Sequence, residues 1–144
     1  MATKRRAEVT WQGDLQSGGG TIDRVGSGAF GPLDVTWASR ADDPAGRTSP
    51  EELIAAAHAS CFSMALSGSL GRAGTPPERL TTSATVTFVP GEGITRSALE
   101  VVGRVPGLDE AAFREAAEDA KMNCPVSKAL ASVPEIVLDA RLES

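Results

Sequence analysis

Among the residues able to do chemistry, two thiols come first. Cys61 lies in the middle of "SPEELIAAAHASCFSMALSGSL" (residues 49–70), and Cys124 lies in "NCPVSKAL", 63 positions later. A sulfur reacts as its thiolate, so each position is judged by what would hold a negative charge there. Cys61 sits deep inside a helix-forming run, where the helix dipole contributes little. Its support must be a cation delivered by another element, and Arg40 and Arg47, on the segments that precede the helix, are the candidates. Arginine suits the task, because its planar fork donates in several directions, to a thiolate and a carboxylate at once. Glu51 is the matching carboxylate. It can fix a guanidinium and accept from a substrate group, and it also complements the positive end of a helix. Cys124 precedes Pro125 and opens a short helix. Free N–H groups and the dipole favour its thiolate and suit it to be a leaving or resolving thiol.

Plainer readings stand beside these. Cysteine is among the most buried residue types, so an inert packed thiol is the ordinary reading of a mid-helix Cys61. Cys124 as an incidental cap is the ordinary reading of the second, although Cys is not a favoured cap. His58, three residues before Cys61, offers a Cys–His dyad. No third group to orient the imidazole is visible in the sequence, which favours a packed or interfacial histidine. Zinc is disfavoured, since Cys61, Cys124 and His58 lack C-x-x-C spacing and a fourth ligand.

The elements that must position these residues follow from pattern. Residues 7–40 read as N-terminal strands. Ala7, Val9 and Trp11 share one face, Gly18 to Gly20 make a turn, 21–25 return, and 33–40 form a third strand with Val35 and Trp37. Ser49, Pro50 and Glu52 spell a capping box with proline at the first helical position. The central helix therefore spans 50–72, apolar on nearly every side and so buried on more than one. A hairpin over 80–105 follows, turning at Gly91 to Gly93. Helices over 109–131 come next. The first is capped by Asp109 and carries a stripe of Ala112, Phe113, Ala116, Ala117 and Ala120; the second is opened by Cys124. Residues 135–142 close the chain as a strand. This order predicts one α+β domain over 1–144 with mostly antiparallel pairing. The glycine-rich segments "SGGGTID" and "GSGAFG" do not link a strand to a helix, which argues against a dinucleotide loop.

Ten helical residues separate Glu51 from Cys61, about 15 Å of rise. Side chains cannot close that gap on one straight helix, and nothing from Glu51 to Ser60 suggests a kink. A site using both is therefore expected across a dimer interface, present twice.

Charge and hydropathy narrow the partners. The net charge is −5, with no basic block beyond Lys4 to Arg6. That argues against nucleic acid and gives no polybasic membrane signal. No uninterrupted run of about 18 apolar residues exists, so no membrane-spanning helix is expected. The N-terminus lacks the apolar run of a secretory signal. The expected location is the cytoplasm, where thiols are mostly reduced, leaving two inert thiols or a redox pair.

Three segments together carry a family resemblance: "TWQGDLQSGGGTI", "SPEELIAAAHASCFSMAL" and "CPVSKAL". Over residues 7–142 the chain resembles the OsmC/Ohr family of thiol peroxidases, and its length and "WQGD" start favour the OsmC branch. The resemblance implies an intertwined α+β homodimer with long central helices packed between the sheets. It implies that Cys61 is the peroxidatic thiol and Cys124 the resolving thiol, joined in an intramolecular disulfide during turnover. Glu51 would hold the catalytic arginine, Arg40, with Arg47 the lesser choice; His58 has no catalytic counterpart. The substrate would be an organic hydroperoxide, with hydrogen peroxide used less efficiently, against an apolar wall from Phe62, Met64, Leu66 or partner residues. The reductant would be a dithiol of lipoyl type, and neither metal nor cofactor is implied. Two other functions compete with this one: a lipid- or small-ligand-binding module with inert thiols, and a hydrolase or transferase using Cys61 and His58.

Overall fold

The computed structural model describes residues 1–144. The chain divides into two compact units, Met1–Leu53 and Ile54–Ser144, with the boundary inside the long helix.

In the first unit, β1 (Ala7–Gln12), β2 (Gly19–Val25) and β3 (Leu33–Val35) form an antiparallel sheet in that order. Gly20 pairs with Trp11, and a Cβ there would lie 2.7 Å from the indole, so only glycine fits. The third strand is shorter than the sequence suggests. It ends at Val35, and Trp37–Ala41 form a short helix, α1. The cause is a capping box that β-propensity conceals. The Thr36 hydroxyl accepts from the Ser39 N–H at 3.0 Å, and the Thr36 N–H donates to the Ser39 hydroxyl at 2.9 Å. Arg40 thus stands on a helix, not at a strand end.

Helix α2 (Pro50–Arg72) is continuous over 23 residues. Half of its expected capping box is present. The Ser49 hydroxyl accepts from the Glu52 N–H at 3.1 Å, while the Glu52 carboxylate accepts from the Thr48 hydroxyl at 2.8 Å. The helix carries one narrow buried stripe at four-residue intervals: His58, Phe62, Leu66 and Leu70. Cys61 and Ala65 are partly buried beside it, but much of the helix is open: Met64 is 74% exposed, and only 22% of the most apolar window lies inside. With a hydropathy of 1.4, α2 is long and apolar enough, by length and composition, to cross a membrane. The sequence expectation to the contrary rested on uninterrupted runs, which the serines and His58 break without lowering the average below that level.

In the second unit, β4 (Arg79–Val89), β5 (Gly93–Arg104) and β6 (Glu135–Leu142) form a sheet in that order. The β4–β5 pair is antiparallel; β5–β6 is parallel, from Arg96 opposite Glu135 to Gly103 opposite Leu142. A parallel pair needs a crossover, supplied here by α3 (Glu110–Asn123) and α4 (Pro125–Ala129). Asp109 caps α3, accepting from the Ala112 N–H at 2.8 Å. Alternate residues of β5, namely Ser97, Leu99, Val101 and Gly103, face inward. Leu99 and Val101 join Phe62, Leu66 and Leu70 of α2, Phe113, Ala117 and Ala120 of α3, and Cys124 in one core. The α+β fold class is as expected, with two sheets and four helices, of which α1 is the helix the sequence reading did not include. Phe62 and Leu66 belong to the core and are fully buried, so of the three side chains expected to wall a pocket only Met64 faces outward.

Candidate active site

The loop between α1 and α2 is tied back onto β3. The Thr48 N–H donates to the Asp34 carbonyl at 3.2 Å, and the Ser39 hydroxyl donates to the Thr48 carbonyl at 2.9 Å. This sets the first turn of α2 beside α1. Arg40 then meets Glu51: its Nε lies 2.9 Å and its Nη2 2.8 Å from the same oxygen, Oε1. Glu51 is 6% exposed, and its second oxygen, Oε2, is buried with no hydrogen-bond partner. Both guanidinium contacts converge on one oxygen, which leaves the other as an acceptor awaiting a donor. Arg47 lies exposed on the turn, without an ion pair, so Glu51 takes its cation from Arg40.

In the second unit the two sulfurs come together. Cys61 projects from α2 and Cys124 from the start of α4; both are free, and the two thiols are hydrogen-bonding neighbours. Their surroundings pull them apart in acidity. Burial pushes the Cys61 thiol up, and its hydrogen bond with Cys124 pushes it further, against the Val126 N–H. At Cys124 burial is again the largest influence and opposes ionisation. It is outweighed by the Ser127 N–H, the Cys61 thiol, the Ser127 hydroxyl and the Val126 N–H, which together hold Cys124 below its usual value. The Cys124 sulfur makes no formal capping hydrogen bond, yet it lies close enough to the first turn of α4 for those N–H groups to favour its anion. Within the single chain the environment thus favours the anion at Cys124 over that at Cys61.

His58 is fully buried and held at both ends. Its Nδ1 lies 2.7 Å from the Ser97 hydroxyl on β5, and its Nε2 lies 2.8 Å from the Ser127 hydroxyl on α4. The packed reading of His58 holds, but the groups that orient the imidazole were missed. A signal for them was present. Ser97 is the one polar residue in an otherwise apolar alternation, and Ser127 falls one helical turn after Cys124. No group of three or more His, Cys, Asp or Glu residues is placed to hold a metal ion.

The sequence profile of the OsmC-like protein family matches residues 42–139. The chain is 40% identical, over the full length of both, to Peroxiredoxin OsmC of Escherichia coli. Among solved structures it resembles an OsmC-like protein from Mycoplasma pneumoniae, with TM-score 0.73, 16% identity and all of both chains covered. It also resembles the organic hydroperoxide resistance protein OhrB of Bacillus subtilis, with TM-score 0.63, 23% identity, and 96% of this chain and 98% of that one covered.

Proposed function

The chain belongs to the OsmC-like protein family, and from that premise we propose that it is a thiol peroxidase that reduces organic hydroperoxides to alcohols. The observation that carries this reading is the meeting of two free thiols from distant parts of the chain, one on α2 and one at the N-terminus of α4. The name of the E. coli relative, a peroxiredoxin, supports it.

In the proposed reaction Cys61 attacks one peroxide oxygen as a thiolate, the O–O bond breaks, and the alcohol leaves after taking a proton. Cys61 becomes a sulfenic acid. The Cys124 sulfur then forms the S–S bond, and the sulfenic oxygen leaves as water. A dithiol of lipoyl type restores both thiols by exchange. Arg40 and Glu51 stabilise charge while the O–O bond breaks, with Glu51 Oε2 the acceptor for the peroxide O–H. Glu51 and Cys61 stand ten residues apart on one unbroken helix, about 15 Å of rise. The Arg40–Glu51 pair that serves a given Cys61 is therefore assigned to the second subunit of a homodimer. The uncovered apolar side of α2, with Met64 at its surface, supports such a dimer. Thiols kept reduced between turnovers fit a cytoplasmic location.

The test is turnover of cumene hydroperoxide with a dithiol, followed by mass spectrometry after one equivalent of peroxide. The wild type is expected to lose two hydrogens, with the Cys61 and Cys124 peptides linked. Cys61→Ser abolishes turnover, and Cys124→Ser allows one round of oxidation that stops at the sulfenic acid. Undiminished turnover in Cys61→Ser, or thiols no more reactive to peroxide than free cysteine, would overturn the proposal.

A further inference from the structure

His58 lies outside the reaction just described, yet it occupies one of the most enclosed positions in the chain. Ser97, His58 and Ser127 are 1%, 0% and 7% exposed and form an unbroken line from β5 through α2 to α4. The line ends beside Cys124: that residue caps α4, Ser127 is the third residue of the same first turn, and the Ser127 hydroxyl is among the groups that favour the Cys124 anion. Counting hydrogens gives the line a direction. The Ser97 hydroxyl has His58 Nδ1 as its sole side-chain partner, so its hydrogen must point there or be buried without an acceptor. Nδ1 then accepts, and in a neutral imidazole the proton sits on Nε2. Nε2–H donates to the Ser127 oxygen, whose own hydrogen is thereby turned away from the imidazole and toward the Cys124 sulfur. The reverse arrangement strands the Ser97 hydrogen and leaves the sulfur without a hydroxyl donor.

We propose that His58 is a positioning residue for the resolving step: held by Ser97, it aims the Ser127 hydroxyl at the Cys124 sulfur. The inference rests on the reading of Cys124 as the resolving thiol. In that step the Cys124 thiol gives up its proton, its sulfur bonds to Cys61, the sulfenic S–O bond breaks, and the departing oxygen takes the proton to leave as water. The Ser127 hydroxyl stabilises the anion that begins the step and is not consumed. The titratable groups acting here are Cys61 directly and His58 through Ser127; no carboxylate or cationic side chain is among the groups that shift Cys124.

The experiment compares full-length wild type with Ser127→Ala, His58→Leu and His58→Gln, each first shown to melt cooperatively. Rapid alkylation and mass spectrometry follow Cys61 oxidation and disulfide closure separately. Near pH 7 closure should slow about tenfold relative to Cys61 oxidation in Ser127→Ala and His58→Leu, the effect of losing one hydrogen bond to a charged group. Raising the pH should restore closure, because the unaided thiol then ionises. His58→Gln, whose amide N–H can reach Ser127, should close at nearly the wild-type rate. A slowing equal at every pH, a His58→Gln that behaves like His58→Leu, or wild-type closure in Ser127→Ala would overturn the inference. A second readout is independent of peroxide chemistry. In a Cys61→Ser background, the pH midpoint for alkylation of Cys124 should rise when Ser127 or His58 is truncated. An unmoved midpoint refutes the aiming role, whereas absent disulfide closure with a moved midpoint refutes only the peroxidase reading.

Discussion

Replacing Arg40 with methionine is expected to cost more stability than replacing its partner Glu51 with glutamine, and the asymmetry follows from burial. Methionine preserves the aliphatic bulk of the arginine stem but removes both donors from Glu51 Oε1. It leaves a carboxylate 6% exposed with neither oxygen paired, since Oε2 has no partner to begin with. Stranding one member of a fully buried ion pair costs about 3–5 kcal/mol. The Arg40 side chain is 32% exposed, so water reaches the pair from that side and about 2–3 kcal/mol is the better expectation. Glu51→Gln removes the buried charge together with the salt bridge. The guanidinium can hydrate, and the amide oxygen still accepts, so about 1 kcal/mol is expected. The double variant should fall short of the sum of the singles by about 1–2 kcal/mol, the coupling of two groups in contact. Urea denaturation at one fixed protein concentration measures all three, because the stability of the proposed homodimer would move with concentration. Equal losses in the two single variants, or additive losses in the double, would show that Arg40 is not what holds the Glu51 carboxylate. In the peroxide assay Arg40→Met should lower turnover by about two to three orders of magnitude, the range for deleting a preorganised charge donor.

Three further outcomes are expected. Gly103→Ala places a Cβ 2.6 Å from Cζ of the fully buried Phe113; denaturation should show a loss of about 1–3 kcal/mol from overpacking, partly recovered by adding Phe113→Leu. Asp109→Ala removes the cap that receives the Ala112 N–H and should cost about 1 kcal/mol. Burial holds the folded-state pKa of His58 below the ordinary value of 6.5, so the unfolded chain binds the proton first on acidification. The contribution of His58 to stability is complete above pH 6.5 and diminishes as pH falls from there to the depressed folded value. His58→Gln should flatten that limb of a stability–pH curve, and an unchanged limb would assign it to other groups.

What could be read from sequence divides along physical lines. Local signals held where one residue settled the matter. Asp109 starts α3, Pro125 starts α4, and the alternation of β4 and β5 makes a hairpin. The 33–40 segment misled because Val35 and Trp37 favour strands, while the deciding interaction is the reciprocal Thr36–Ser39 cap, whose effect spans only four residues. The parallel pairing of β6 with β5 has no local signature, being fixed by where the crossover delivers the strand. The residues alone offer Arg40 and Arg47 and family resemblance favours Arg40, whereas the hydrogen bonds that place it beside Glu51 run through Ser39 and Thr48, neither of which draws notice by type. Ser97 and Ser127 escaped for a similar reason. A serine declares its burial only once its neighbours are known to face inward.

The crossover between β5 and β6 also sets the order in which the sulfur pair is assembled. Cys61 leaves the ribosome early, on a helix that can form locally. Cys124 rides on the α3–α4 connection, whose far end is held by the pairing of Glu135–Leu142 with β5, a non-local contact of the kind that slows folding. The two thiols thus become neighbours through contacts distant in sequence, and weakening the β5–β6 pairing should loosen the hold on Cys124 beside Cys61.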